Sequence, residues 1–239
     1  MLEKTTVMTD GETLLRQGHH GDALKEFRCA IMSPIDDEYL ARAYQFAGEC
    51  SRLIGLIDDA GAYLTKGAQI AETLDDRILI GAIHREQGAV AHERGNRQDK
   101  PDDKDSHFED ADGHFYSSKT ALEAELKELK AAGRSITLAE RELLKTQSFR
   151  ASLLYDRGFK ADARSDLRHA DENLRAIGGN TVDELNNLLR LMHALPFPSR
   201  LIHLPRAREL TAKDTSLRGS RRRVWAALKG KPSFMQLAQ

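Results

Sequence analysis

A three-residue phrase recurs four times along this chain: a small residue, a bulky apolar one four residues later, and a second small one three beyond that. It reads Ala23, Phe27, Ala30; Ala60, Leu64, Gly67; Ala111, Phe115, Ser118; and Ala163, Leu167, Ala170. Spacings of four and three put all three side chains on one helix face, and the small residues let a neighbouring helix approach closely. Each phrase follows another helical segment with a small residue at its middle: Val7, Gly11 and Leu14; Tyr44 and Gly48; Gly88 and Ala91; Ala151 and Leu154. Glycine inside a helix costs ~1 kcal/mol against alanine, so Gly11, Gly48 and Gly88 at matching places imply backbone-close packing. Short turns at 18–21, 55–58 and 158–160 separate paired segments. The pattern predicts helix, turn, helix, four times.

In this the chain resembles the tetratricopeptide repeat family, whose unit of about 34 residues carries small residues at its eighth, twentieth and twenty-seventh places with bulky apolar ones between. The matching residues are Gly11, Ala23, Phe27, Ala30 in the first unit and Gly48, Ala60, Leu64, Gly67 in the second. The third unit reads Gly88, Ala111, Phe115, Ser118 and the fourth Ala151, Ala163, Leu167, Ala170, so the resemblance covers about residues 4–175. It implies an all-α fold, a tetratricopeptide-like helix-turn-helix repeat array or α-solenoid. The chain departs from the family in places. The aromatic of the fourth position is present as Tyr44, with Val7, His84 and Gln147 elsewhere, and Pro34 stands one place early. The third unit carries about eleven extra residues, 98–108, between its helices.

Beyond the fourth unit, Thr181 and Glu184 form a capping-box pattern opening a helix with Leu185, Leu188, Leu189 and Met192 at helical spacing; it ends before Pro196. A repeat array needs such a terminal helix to cover its last apolar face. Pro196, Pro198 and Pro205 then interrupt regular structure, with two short helices expected at 206–213 and 220–229. We therefore expect a repeat domain over 1–195, with an insertion at about 98–110, and a basic tail over 196–239. Charge divides at the same place. The net charge is −1, but from Pro196 onward ten Lys or Arg face two acids, Glu209 and Asp214, and the remaining 26 basic and 35 acidic residues leave the body acidic.

The rest of the composition narrows the function classes. At 40% hydrophobic, 6% aromatic and 31% charged, the chain suits a helical globular protein and is short of the β-branched and aromatic residues of a sandwich. Cys29 and Cys50 both fall in helical segments, where reduced core thiols are expected and a disulfide framework is not. No apolar run approaches the ~20 residues of a membrane span, and no signal-type apolar segment opens the chain, so a cytoplasmic protein is expected. No phosphate loop, dinucleotide fingerprint, nucleophile elbow or zinc motif appears, so no cofactor and no enzyme activity are expected. The acid-rich stretch from Asp99 to His114 fails the EF-hand pattern: counted from Asp103, Phe108 and His114 stand where glycine and glutamate belong. It reads as a solvated loop, with no metal assigned. His84 and His92 are eight residues apart, not the i, i+4 pair of a helical zinc site.

By the family's geometry the first helices of the pairs would line a groove. Its residues here would be Glu12 and Arg16; Gln45, Glu49 and Arg52; Arg85, His92 and Glu93; and Lys145, Ser148, Ser152 and Tyr155. Their mixed charge suits an extended peptide held by several polar anchors. Arg221, Arg222 and Arg223 with Trp225 form the densest cationic cluster of the tail and call for an anionic partner. The expected function is a non-enzymatic interaction module or adaptor for a peptide or protein partner, its basic tail docking on the array or on that partner. No membrane partner is expected, and a homo-oligomer is left open. Two alternatives are carried: a nucleic-acid-associated adaptor whose arginine cluster holds phosphates and whose Trp225 stacks on a base, and a metal-dependent hydrolase using the acidic insertion.

Overall fold

The computed structural model describes residues 2–33, 36–178, 181–196 and 199–213, together with Val224. Among the described residues all regular structure is helical. In chain order the helices are α1 (Leu2–Gln17), α2 (His20–Met32), α3 (Asp37–Leu53), α4 (Ile57–Leu74), α5 (Arg77–Asn96), α6 (Pro101–Ala131), α7 (Thr137–Asp156), α8 (Lys160–Ile177), α9 (Thr181–Ala194) and α10 (Leu204–Lys213), with a short 3-10 helix at Ser199–His203. From α2 to α6 each helix packs on the next, and so do α8 on α9 and α9 on α10. The chain falls into two compact units, one of Met1–Leu15 and His19–Thr146, the other of Arg16–Gly18 and Gln147–Gln239, so the division runs through α7. The change of charge and composition lies further on, near Leu195.

In the first unit small residues set how closely helices approach. A Cβ at Gly11 would stand 2.8 Å from the Phe27 ring, and one at Gly48 would stand 2.6 Å from Cγ of Leu64. Only a bare Cα fits beneath those side chains. The pairing of α5 with α6 repeats this contact three times: Gly81, Gly88 and Gly95 recur every seven residues, and Leu122, Phe115 and Phe108 recur every seven in the opposite order. Added Cβ atoms would meet them at 2.6, 2.6 and 2.7 Å. A seven-residue period keeps one seam facing its partner along both helices.

The expected loop at 98–110 is therefore corrected. Pro101 opens α6 at a position where its missing N–H costs nothing, and Asp102 and Asp103 lie in the first turn, where carboxylates complement the helix dipole. Phe108, placed by composition in the loop, is a core residue only 2% exposed.

Apolar clusters tie successive pairs together. Phe27, Ala30 and Met8 pack with Ala43, Ala47 and Cys50 of α3, while Leu64, Ala60 and Ala41 pack with Leu79, Ile83 and Val90 of α5. Cys50 is thus a core thiol, but Cys29 is exposed, against the expectation that both are buried; both are free. Helix starts carry the expected signals at α3 and α5, where the carboxylates of Asp36 and Asp76 accept from the backbone N–H groups of Tyr39 and Leu79, each at 3.0 Å. Gly18, Gly55 and Gly158 take φ of +83°, +87° and +94° in the turns that reverse the chain, a region favouring glycine.

In the second unit Ala151 and Leu167 share a cluster with Leu191, Ala194 and Leu195. Leu185, Leu188, Leu189 and Met192 of α9 form another with Ala207, Leu210 and Val224, so the helix expected to close the array buries its apolar stripe against the segments that follow it. The carbonyls at its C-terminal end accept from two guanidinium groups: Arg164 Nε reaches Ala194 at 2.7 Å and Arg200 Nε reaches Leu195 at 2.6 Å.

Candidate functional site

Of the residues expected to line a groove, Glu49, Arg52, Arg85, Glu93 and Lys145 come together, but as a charge network set into the first unit. Glu49 and Arg52 stand one turn apart on α3, Arg85, Glu86 and Glu93 on α5, and Glu142 and Lys145 on the opening half of α7. Arg52 Nη2 and Nε donate to one oxygen of Glu86 at 2.9 and 3.1 Å, and Nη1 donates to Glu93 at 2.9 Å. Arg85 donates through Nε to the other Glu86 oxygen at 3.2 Å and through Nη1 to Glu142. Lys145 Nζ donates to Glu142 at 2.9 Å. Arg52, Arg85 and Glu86 are at most 3% exposed, whereas the side chains of Glu93 and Lys145 keep 14% and 26% of their surface. The floor is closed and the rim touches water.

Burying a charge is costly unless partners replace its hydration. Burial by itself would drive the Arg52 and Arg85 guanidinium groups toward neutrality, but the surrounding carboxylates, Glu86 and Glu93 for one and Glu142 and Glu86 for the other, outweigh it and hold both above the ordinary arginine range. Burial likewise opposes ionisation of Glu86 and Glu142. Arg52 and Arg85 keep Glu86 below its usual range, and Lys145 and Arg85 pull Glu142 down to about 2. Glu49 goes the other way. Burial first, then the Glu86 charge, raise it from 4.5 to about 7 against the pull of Lys145, Arg85 and Arg52. Among the described residues no group donates a hydrogen bond to its carboxylate or pairs with it.

The other expected groove residues have other surroundings. Gln45 is buried on α3. His92 is buried, edge-on to Phe108 at 5.5 Å, and serves the α5–α6 seam. In the second unit Ser148 is buried and donates to the side chain of Asn187, while Tyr155 stands edge-on to His193 at 5.6 Å with the Lys160 ammonium over its ring. Arg16 is exposed, and Glu12 and Ser152 are half-buried. Arg221, Arg222, Arg223 and Trp225 lie outside the described residues.

Sequence reasoning missed Glu86 and Glu142, the acids that hold the floor together. A signal existed for Glu86: it lies between two apolar runs of α5, residues 78–83 and 89–91. A charge set between buried apolar runs must be paired. The acids of the former insertion lie largely exposed on α6, and among the described residues no group of three or more His, Cys, Asp or Glu is disposed to hold a metal ion. No described helix is long and apolar enough to cross a membrane. A scan against protein-family models returns no match, and no curated protein matches the chain.

Proposed function

We propose that this chain is a non-enzymatic interaction module, a degenerate tetratricopeptide-like array that offers the first helices of its pairs to a peptide or protein partner. The observation that carries the reading is the convergence of Glu49, Arg52, Arg85, Glu93 and Lys145 from three such helices onto one network with a solvent-touching rim. Further support comes from the recurring contact of a small residue with a bulky one: Gly11 with Phe27, Gly48 with Leu64, Gly88 with Phe115, and Ala151 clustered with Leu167. A rigid wall of mixed charge recognises a partner by side-chain complementarity.

Selection of displayed random peptides on the purified full chain tests the reading. It expects convergence on a shared motif whose binding is weakened at least tenfold by reversing two rim charges, Glu93→Lys with Lys145→Glu. Failure to converge, or binding indifferent to the reversal, refutes it.

One sequence observation favours a second reading, in which the basic tail holds nucleic acid: ten Lys or Arg against two acids beyond residue 195. Filter binding against salt discriminates, because phosphate contacts give a steep log–log slope that falls when Arg221, Arg222 and Arg223 are replaced.

A further inference from the structure

We propose that Glu49 is the anchor for a cationic side chain, a lysine or arginine carried by the partner, so that the module's ligand is a basic peptide. The proposal deepens the interaction-module reading and rests on it. Every other carboxylate of the network has a cation: Glu86 has Arg52 and Arg85, Glu93 has Arg52, and Glu142 has Arg85 and Lys145. Four carboxylates thus face three cations among the described residues, and the one left over is Glu49.

Its position makes the vacancy usable. On α3, Gln45 one turn before and Arg52 one turn after are buried, whereas Glu49 between them keeps contact with solvent. A lysine or arginine side chain has the stem to reach such a carboxylate from outside and the N–H donors to satisfy it, and its arrival brings the set to neutrality. A divalent cation suits the place poorly, since it needs several oxygen ligands and the neighbouring carboxylate oxygens already accept from arginine and lysine. An anionic side chain would add to the surplus.

Without a partner, a proton is the competing occupant. Glu49 faces Arg52 on its own helix, Arg85 and Glu86 on α5, and Lys145, itself held by Glu142, on α7; burial and Glu86 bring its ionisation to about pH 7. A cationic ligand requires the ionised carboxylate, so its affinity rises with pH. With ionisation centred near 7, the charged fraction grows about tenfold between pH 6 and pH 8.

The test is fluorescence anisotropy with labelled decapeptides of alternating lysine and alanine, glutamine and alanine, or glutamate and alanine. They are titrated with the full chain at pH 6 and pH 8 in 150 mM salt. The lysine peptide should bind most tightly, gain about tenfold from pH 6 to pH 8, and lose both the gain and about tenfold in affinity at pH 8 in Glu49→Gln. Glu172→Gln, which removes an equal charge from the exposed face of α8, should change neither. The proposal is overturned if Glu49→Gln binds the lysine peptide as the parent does, if Glu172→Gln weakens it equally, or if the glutamate peptide binds better. If selected peptides bind through the rim but independently of Glu49, the anchor alone is wrong; if no peptide of any charge binds, the module reading falls with it. Far-UV circular dichroism establishes that both variants are folded.

Discussion

Replacing Glu49 by glutamine removes the one carboxyl of the network that burial and Glu86 push toward neutrality, from 4.5 to about 7. The direction of the effect on stability follows from linkage. An acid whose pKa is higher folded than unfolded opposes folding wherever the unfolded chain is ionised and the folded one resists ionisation. The cost is absent well below pH 4.5, grows as pH rises from there to 7, and is constant above. With these two values the ionised carboxylate costs about 1 kcal/mol at pH 5 and about 3 kcal/mol at pH 8. Glutamine fills nearly the same volume and carries no charge. Glu49→Gln should therefore be more stable than the parent by about 2 kcal/mol more at pH 8 than at pH 5. Urea unfolding followed by far-UV circular dichroism at the two pH values measures the difference, with unchanged slopes establishing that the unfolding reaction is the same. A gain equal at both pH values would refute the electrostatic account, and a loss at pH 8 would mean that Glu49 is stabilised by its arginine neighbours after all.

Four further outcomes follow from contacts already described. Gly88→Ala should destabilise by about 1–3 kcal/mol, because the added methyl meets the Phe115 ring at 2.6 Å, whereas Gly113→Ala on α6, with nothing within 4 Å, should stabilise by about 0.5–1 kcal/mol; paired thermal melts decide. Phe108→Ala should cost about 3–5 kcal/mol by urea unfolding, where a solvated loop would lose nothing measurable. Arg85→Met leaves Glu86 and Glu142 without one of their cations and should cost about 3–5 kcal/mol near neutral pH. Of the two cysteines, Cys29 should react promptly with a thiol reagent in the folded chain, and Cys50, buried and with its ionisation pushed up by burial and by Glu49, only after unfolding.

The helix pairs were legible because close packing leaves a mark in sequence that composition cannot hide: only glycine or alanine fits where a neighbouring Phe or Leu lies against the backbone. Gly11, Gly48 and Gly88 announced contacts with Phe27, Leu64 and Phe115. The opening of α6 was misread for a related reason. Its first two large buried side chains, Phe108 and Phe115, are seven residues apart with Ala111 alone buried between them, so most places there are free to be charged, and the acids around them look like a loop. Gly81 and Gly95, seven on either side of Gly88, held the missing information. The network was half legible. Counting along the first helices placed Glu49, Arg52, Arg85 and Lys145, but their depth depends on how closely α3, α5 and the start of α7 approach. Arg85 and Glu142 are separated by 57 residues, and no local spacing joins them.

The floor of the network is a poor device for stability alone. Paired ions taken out of water return little net free energy, and an apolar floor of the same volume is commonly as stable or more so. Glu49 adds a cost on top, which a single amide substitution would remove. If Glu49→Gln proves the more stable fold, as expected, the parent sequence keeps an unpaired carboxylate beside three satisfied ones at a cost in stability, and such local costs gather where a surface must meet something else. A cation arriving from a partner would relieve that cost on binding, so the energy withheld from the free fold is available to the complex. Arg52 and Arg85 then have a different part: fixed by Glu86, they hold the surrounding groups in place, so that the one open carboxylate is presented in a preorganised geometry.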